Sequence, residues 1–281
     1  MGRMPPEVLM RELDLTWQAV FTWASWAIAM AMLVIAVRMG VKQRTPFYAL
    51  AVLAAGVAAF AEPLYDVAFD LWFYDVDAAG QAGAMWSHYS AFGVVQPNWS
   101  HSGYIILYAA VALYAGRRMY EGRLSRRGLF LIWAGEITTS CVFEIIGTGT
   151  NVYAYYGPYE LRIGNYPAVI GVLEGTQTVL FTVLAVQIWR RVNSAWGLTS
   201  LFLAFPITMF GANFGIGSFL IIALHLDGGE FSSTLVWLAT FLTMGLCFVA
   251  VRGASLFLPT PTGVPDADGA PATDERVSVP A

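Results

Sequence analysis

The chain has 281 residues, of which 57% are hydrophobic and only 12% charged, with a formal net charge of −4 and a mean hydropathy of +0.59. Soluble domains carry about 25% charged residues, so an ordinary soluble domain is excluded and an integral membrane protein is indicated. No basic tail or stripe offers a nucleic-acid surface. Cys141 and Cys247 both sit in apolar segments, which argues against a disulfide framework and against a cysteine zinc site.

The opening stretch MGRMPPEVLMRELD is mixed in charge, and the apolar run after it is too long for a signal peptide. Seven segments approach the roughly 20 apolar residues that span a bilayer: 17–38, 46–69, 101–117, 128–148, 167–189, 198–224 and 234–252. The third is short. The sixth carries Pro206, Gly211, Gly215 and Gly217, so a kink is expected there. Two long loops, 70–100 and 149–167, are dense in aromatics. Interfacial belts explain part of that density, and loops of such length are often functional. The tail 258–281 is rich in Pro, Ala and Asp and is expected to be disordered. The expected fold class is all-α: one polytopic membrane helix bundle over residues 1–257, with about seven transmembrane helices.

Basic residues set the orientation. Of the 15, Arg38, Lys42, Arg44, Arg117, Arg118, Arg123, Arg126, Arg127, Arg190, Arg191, Arg252 and Arg276 fall on one side, and only Arg3, Arg11 and Arg162 on the other. This places the N-terminus outside and the C-terminus inside. The arginine-rich, lysine-poor composition fits a high-GC bacterial source and hence a bacterial cytoplasmic membrane.

The chemistry stands out as acid inside apolar sequence. Glu62, Glu136, Glu144 and Glu174 lie within the spans with no Lys or Arg nearby. A charge at mid-bilayer costs about 2.5–3.5 kcal/mol on insertion scales, so such acids mark functional sites by default. An apolar surrounding favours the protonated carboxyl, which makes it a proton donor near neutral pH. Glu62, Glu144 and Glu174 fall at one depth, toward the outer side of three spans. Glu62, Asp66 and Asp70 are four apart and share a helical face, and Pro63 disturbs the helix beside Glu62. Asn213 and Gln177 add amides at related depths, and His88 and His101 flank the same side. For Glu136 a helix–helix hydrogen bond is the second reading. Asp70, Asp75 and Asp77 read as solvated loop acids. Glu62, Asp66, His88, His101 and Glu144 are types that suit a hard cation, but no His-x-x-x-His or Glu-x-x-His spacing joins them, and neither a metal nor a cofactor is expected.

The motifs AEPLYD, SHYSAFG, QPNW and FEIIGTGTNVYAYYG, over residues 45–190, resemble the avermectin spirocyclase/dehydratase family of actinobacterial membrane proteins. The last stretch also looks like that of carotenoid hydratase-type membrane enzymes. The resemblance implies cofactor-independent acid/base chemistry on a lipophilic substrate: dehydration, hydration or ring closure. It matches Glu62 to the family's acid before Pro-Leu, a position more often Asp, His88 to its loop histidine, and Glu144 to its acid before the Tyr-rich turn.

The expected site therefore has Glu62, Asp66, Glu144, Glu174 and His88 as acid/base groups. Trp86, Tyr153, Tyr155, Tyr156, Asn213 and His101 are expected to line the substrate cavity, with the aromatic faces stabilising positive charge. The expected partners are a lipophilic polyketide- or isoprenoid-like small molecule and the membrane lipids, with no nucleic acid. The alternatives are a proton-coupled transporter, against which no internal repeat is visible, and a lipid-binding or sensory protein. A covalent retinal protein is excluded, because Lys42, the only lysine, lies in a loop.

Overall fold

The computed structural model describes residues 5–226 and 232–260; most of the tail expected over 258–281 lies outside them. In chain order the main helices are α1 (Leu15–Gln43), α2 (Phe47–Ala68), α3 (Ser100–Tyr114), α4 (Arg126–Gly149), α5 (Ala168–Arg191), α6 (Gly197–Ile216), α7 (Ser218–Leu224) and α8 (Ser233–Phe257). Six of them, all but α3 and α7, are long and apolar enough to cross a membrane. Their outer faces carry bare apolar side chains such as Trp23, Leu131, Leu203, Leu238 and Phe241. A helix apolar on both its packed and its outward face is a bilayer element. The protein is an integral membrane helical bundle.

The expected third span is helical but broken at Ala115, where α3 gives way to a five-residue helix, Gly116–Tyr120. At 1.5 Å per residue α3 is about 22 Å long, short of a hydrocarbon core of about 30 Å. The sixth segment does deform where a kink was expected. Pro206 sits inside α6, and Phe210–Ile216 is π-helical, a local widening typical of functional helices.

The bundle is all-α as expected, with one addition outside the helices. Three small antiparallel ribbons occupy the long loops: β1 (Leu71–Phe73) with β4 (Tyr153–Tyr155), β2 (Ser87–Ala91) with β3 (Val94–Pro97), and β5 (Arg162–Ile163) with β6 (Tyr166–Pro167). Leu71 stands opposite Tyr155, and Phe73 opposite Tyr153. That ribbon ties the two long loops together at one end of the bundle. The N-terminal segment joins the same end, with Asp14 N donating to Asn151 O (3.1 Å) and Leu13 N to Val76 O (2.8 Å).

α5 is the axis of the bundle: 89% of its most apolar window is buried, and it packs against α3, α4, α6 and α8. Its closest partner is α4. Gly171 and Gly175 form a small-xxx-small face there. A methyl on Gly175 would stand 3.1 Å from the Ile137 backbone nitrogen, and one on Gly171 would stand 2.7 Å from Cys141 Sγ. Glu174 lies inside that motif, so close helix approach brings its carboxyl to α4.

Candidate functional site

Glu62 is placed by the break in α2. A 3-10 turn, Ala59–Ala61, precedes it, and Pro63 follows at the start of the resumed helix. The proline lacks an N–H and crowds the carbonyl four residues back, which tightens that turn. Glu144 lies in the last two turns of α4 and Glu174 in the second turn of α5. All three side chains are buried. They line one cavity of about 40 Å³ together with Tyr65, Trp99, Tyr104, Tyr108, Phe143, Tyr153 and Tyr155.

Hydroxyl groups hold these acids. Tyr104 OH donates to Glu62 Oε2. Glu174 accepts from Ser140 Oγ at Oε2, from Tyr166 OH at 3.2 Å and from Tyr65 OH at 3.4 Å. Glu144 sits beside Tyr153 and Tyr155, and its Oε2 has no hydrogen-bond partner. Burial, reinforced by the charge of Glu144, pushes the phenols of Tyr153 and Tyr155 well above their ordinary range. They are neutral hydroxyls rather than phenolates. No Lys or Arg lines the cavity. Carboxyls that share an enclosed site without a cation share protons rather than all ionising. The arrangement can give a proton and take one back.

Asp66 lies one turn beyond Glu62 and does not line the cavity. It is fully buried. Gln96 Nε2, on β3, donates to its Oδ2 at 2.5 Å, while Oδ1 and Gln96 Oε1 have no partner. The reading of Asp70 as a solvated acid is corrected: it is buried and stands 3.3 Å from His225 Nε2. Its backbone is left-handed (φ 51°), because α2 ends there and the chain turns into β1. Asp75 and Asp77 shape the loop, Asp75 accepting from Met85 N (2.8 Å) and Asp77 from Gln81 N (2.8 Å). Glu136 is the helix–helix contact, accepting from Tyr114 OH at 2.9 Å.

Several expected residues stand elsewhere. His88 and Trp86 are exposed, because the β2–β3 hairpin turns their side out. His88 Nε2 lies 3.0 Å from Asn98 O. His101 Nδ1 lies 2.7 Å from Gly56 O, its ring against Phe60. Tyr156 joins β4 to Asp70 through its backbone. Asn213, turned inward by the π-helical segment, donates to Gln177 Oε1 at 2.6 Å. None of these lines the cavity.

Tyr104, Tyr108, Tyr65, Ser140, Tyr166 and Gln96 are site residues that sequence reasoning passed over. Arg162 is another. It donates to the carbonyls of Tyr155 (3.0 Å), Gly157 (2.7 Å), Tyr159 (3.3 Å) and Asn165 (2.7 Å), and so fixes the turn that carries Tyr153 and Tyr155. No protein-family model, no curated protein and no solved structure matches this chain.

Proposed function

We propose that the protein is a membrane enzyme that performs cofactor-independent acid/base chemistry (cyclisation, dehydration or hydration) on a lipophilic polyketide- or isoprenoid-like substrate. The observation that carries this reading is the meeting of Glu62, Glu144 and Glu174 from three helices at one narrow cavity walled by tyrosines. Acid/base catalysis needs a donor and an acceptor within reach of the same substrate. A protonated Glu144 or Glu62 gives its proton to a substrate hydroxyl or alkene. Glu174 or the remaining glutamate removes a proton from the adjacent carbon or nucleophilic hydroxyl. In the dehydration case the protonated hydroxyl leaves as water. Aromatic faces of Tyr153, Tyr155 and Trp99 stabilise positive charge on carbon. The resemblance to the spirocyclase/dehydratase family points the same way.

The proposal includes seven membrane passes, α3 among them, in a bacterial cytoplasmic membrane, with the acid cavity toward the outer face. Pairing of β1 with β4 supports the count, since it brings both long loops to one end. The test is mass spectrometry of host extracts with and without the gene, complemented by wild type or Glu144→Gln. A lipophilic metabolite that changes by one water, or in retention at equal mass, and that Glu144→Gln fails to restore, is the expected result.

A second reading, a proton-coupled carrier, has its own support. The cavity has room for a few waters, and the buried Glu62, Asp66 and Asp70 follow one another along the chain toward the loop end, where Asp70 stands 3.3 Å from the partly exposed His225. A metabolite that moves between cells and medium without changing composition favours it.

A further inference from the structure

A cavity of about 40 Å³ holds a few waters, whereas pockets for small molecules start near about 300 Å³. A substrate must therefore enter by displacing part of the wall, and the wall is thin at one place. Phe143 lines the acid cavity on one side and a second depression of about 240 Å³ on the other. That depression lies between α1 and α4, which flank it without packing closely together. Trp17, Val20, Ala24, Ile28, Ile106 and Ile146 also line it. Its one hydroxyl, Ser25 Oγ, is engaged with Ser102 Oγ at 2.7 Å, so the surface offers hydrocarbon alone.

Three rings separate the two spaces. Phe21 packs edge-on against Phe143 (centroids 5.4 Å apart) and tilts against Trp99 (5.1 Å). Phe143 is only half-buried, and it immediately precedes Glu144. Hydrocarbon in the groove therefore lies one ring away from an acid. A larger apolar groove of about 790 Å³, lined by Leu184, Arg191, Ile207 and Ala250, shares no residue with the cavity and offers no such passage.

We infer that the α1–α4 groove is the binding site for the hydrocarbon portion of a membrane-dissolved ligand, and that Phe143 is the gate through which this ligand reaches Glu144. This rests on the acid/base reading for what happens afterwards, but the passage itself is tested without turnover. The purified protein is reconstituted in phosphatidylglycerol/phosphatidylethanolamine liposomes with a diazirine-bearing hexadecanol. It is then irradiated, and the adducts are mapped by mass spectrometry.

Adducts are expected on the groove residues Val20, Ile28 and Ile146 and on the cavity residues Tyr104 and Tyr153. Phe143→Trp, which thickens the gate, keeps the groove adducts and loses those in the cavity. Ala24→Trp, at an exposed position on the far side of the groove, fills it and loses both sets while leaving the core untouched. Thermal melting confirms that each variant is folded. Cavity adducts that persist in both variants, or a groove labelled no more than the rest of the lipid face, overturn the inference. Glu144→Gln leaves labelling intact. A host metabolite pool indifferent to that variant therefore sinks the acid/base reading while the route stands, and unchanged labelling in the gate variants sinks the route alone.

Discussion

At the scale of single residues, Glu62 and Glu174 are held by hydroxyl donors, whereas Glu144 keeps one oxygen without a partner at the cavity. That makes Glu144 the acid most open to a substrate. Glu144→Gln is isosteric and keeps an acceptor, so it should abolish turnover with melting temperature near that of wild type; retained turnover removes Glu144 from the mechanism. The Asp66–Gln96 pair is structural in the same measure. Gln96→Leu strips a buried carboxyl of its donor, which costs about 1–3 kcal/mol. Denaturation in detergent should show that loss, and Asp66→Leu on top of it should recover part of it by removing the stranded group. The acids were legible in the sequence because a carboxylate in an apolar run has no bland neighbours to hide among. Their donors were not. Tyr104, Ser140 and Gln96 are ordinary residues in their own segments, and only the register between helices and loops turns them toward the acids. His88 and Trp86 stand away from the cavity for a related reason: a hairpin has two faces, and loop composition does not say which one faces inward.

At the scale of elements, two devices position the site. The first is the close crossing of α4 and α5 at Gly171 and Gly175. Gly175→Val forces side chain into the Ile137 backbone, where overpacking costs about 1–3 kcal/mol, and it pushes Glu174 away from Ser140. A lowered melting temperature together with reduced turnover is expected; a variant that melts like wild type shows that the crossing tolerates separation. The second device is Arg162, whose planar fork spans carbonyls at opposite ends of the Tyr-rich turn. Arg162→Lys supplies charge without the fork. It should therefore fail to rescue, and limited proteolysis should cut both Arg162→Lys and Arg162→Ala within 153–167 faster than wild type. Hydropathy made the long helices legible, because twenty apolar residues in a row have few other uses. The ribbons were hidden because strands of two to five residues carry no period of their own, and β1 pairs with a strand some eighty residues away. The Gly-x-x-x-Gly face was in plain sight at 171–175 but reads as a contact only once its partner helix is known.

At the scale of the whole molecule, the distribution of charge and the placement of the loops make one joint statement. The N-terminal segment, the loop carrying β1–β3 and the loop carrying β4–β6 meet at one end. Most basic residues fall on the connections at the other end, Arg117 to Arg127 and Arg190–Arg191 among them. Basic connections stay cytoplasmic, which is the ground for proposing that the loop end and its acid cavity face outward. The span that decides the topology is α3, whose 15 residues fall short of the hydrocarbon core on length alone. If it crosses, Ala79 and Arg118 lie on opposite sides of the membrane; if it does not, they share a side, and α4 would carry the second aromatic loop to the opposite side from the first, against the pairing of β1 with β4. Single cysteines decide this in a background lacking Cys141 and Cys247. Ala79→Cys should react with a membrane-impermeant maleimide on intact spheroplasts, while Arg118→Cys and Asn193→Cys, both at exposed positions, should react only after permeabilisation. Labelling of Arg118→Cys on intact spheroplasts alongside Ala79→Cys would reduce the passes to six. Labelling of Arg118→Cys and Asn193→Cys on intact spheroplasts, without Ala79→Cys, would invert the protein and place the acid cavity and its groove in the cytoplasmic leaflet, where a substrate would have to be supplied from within.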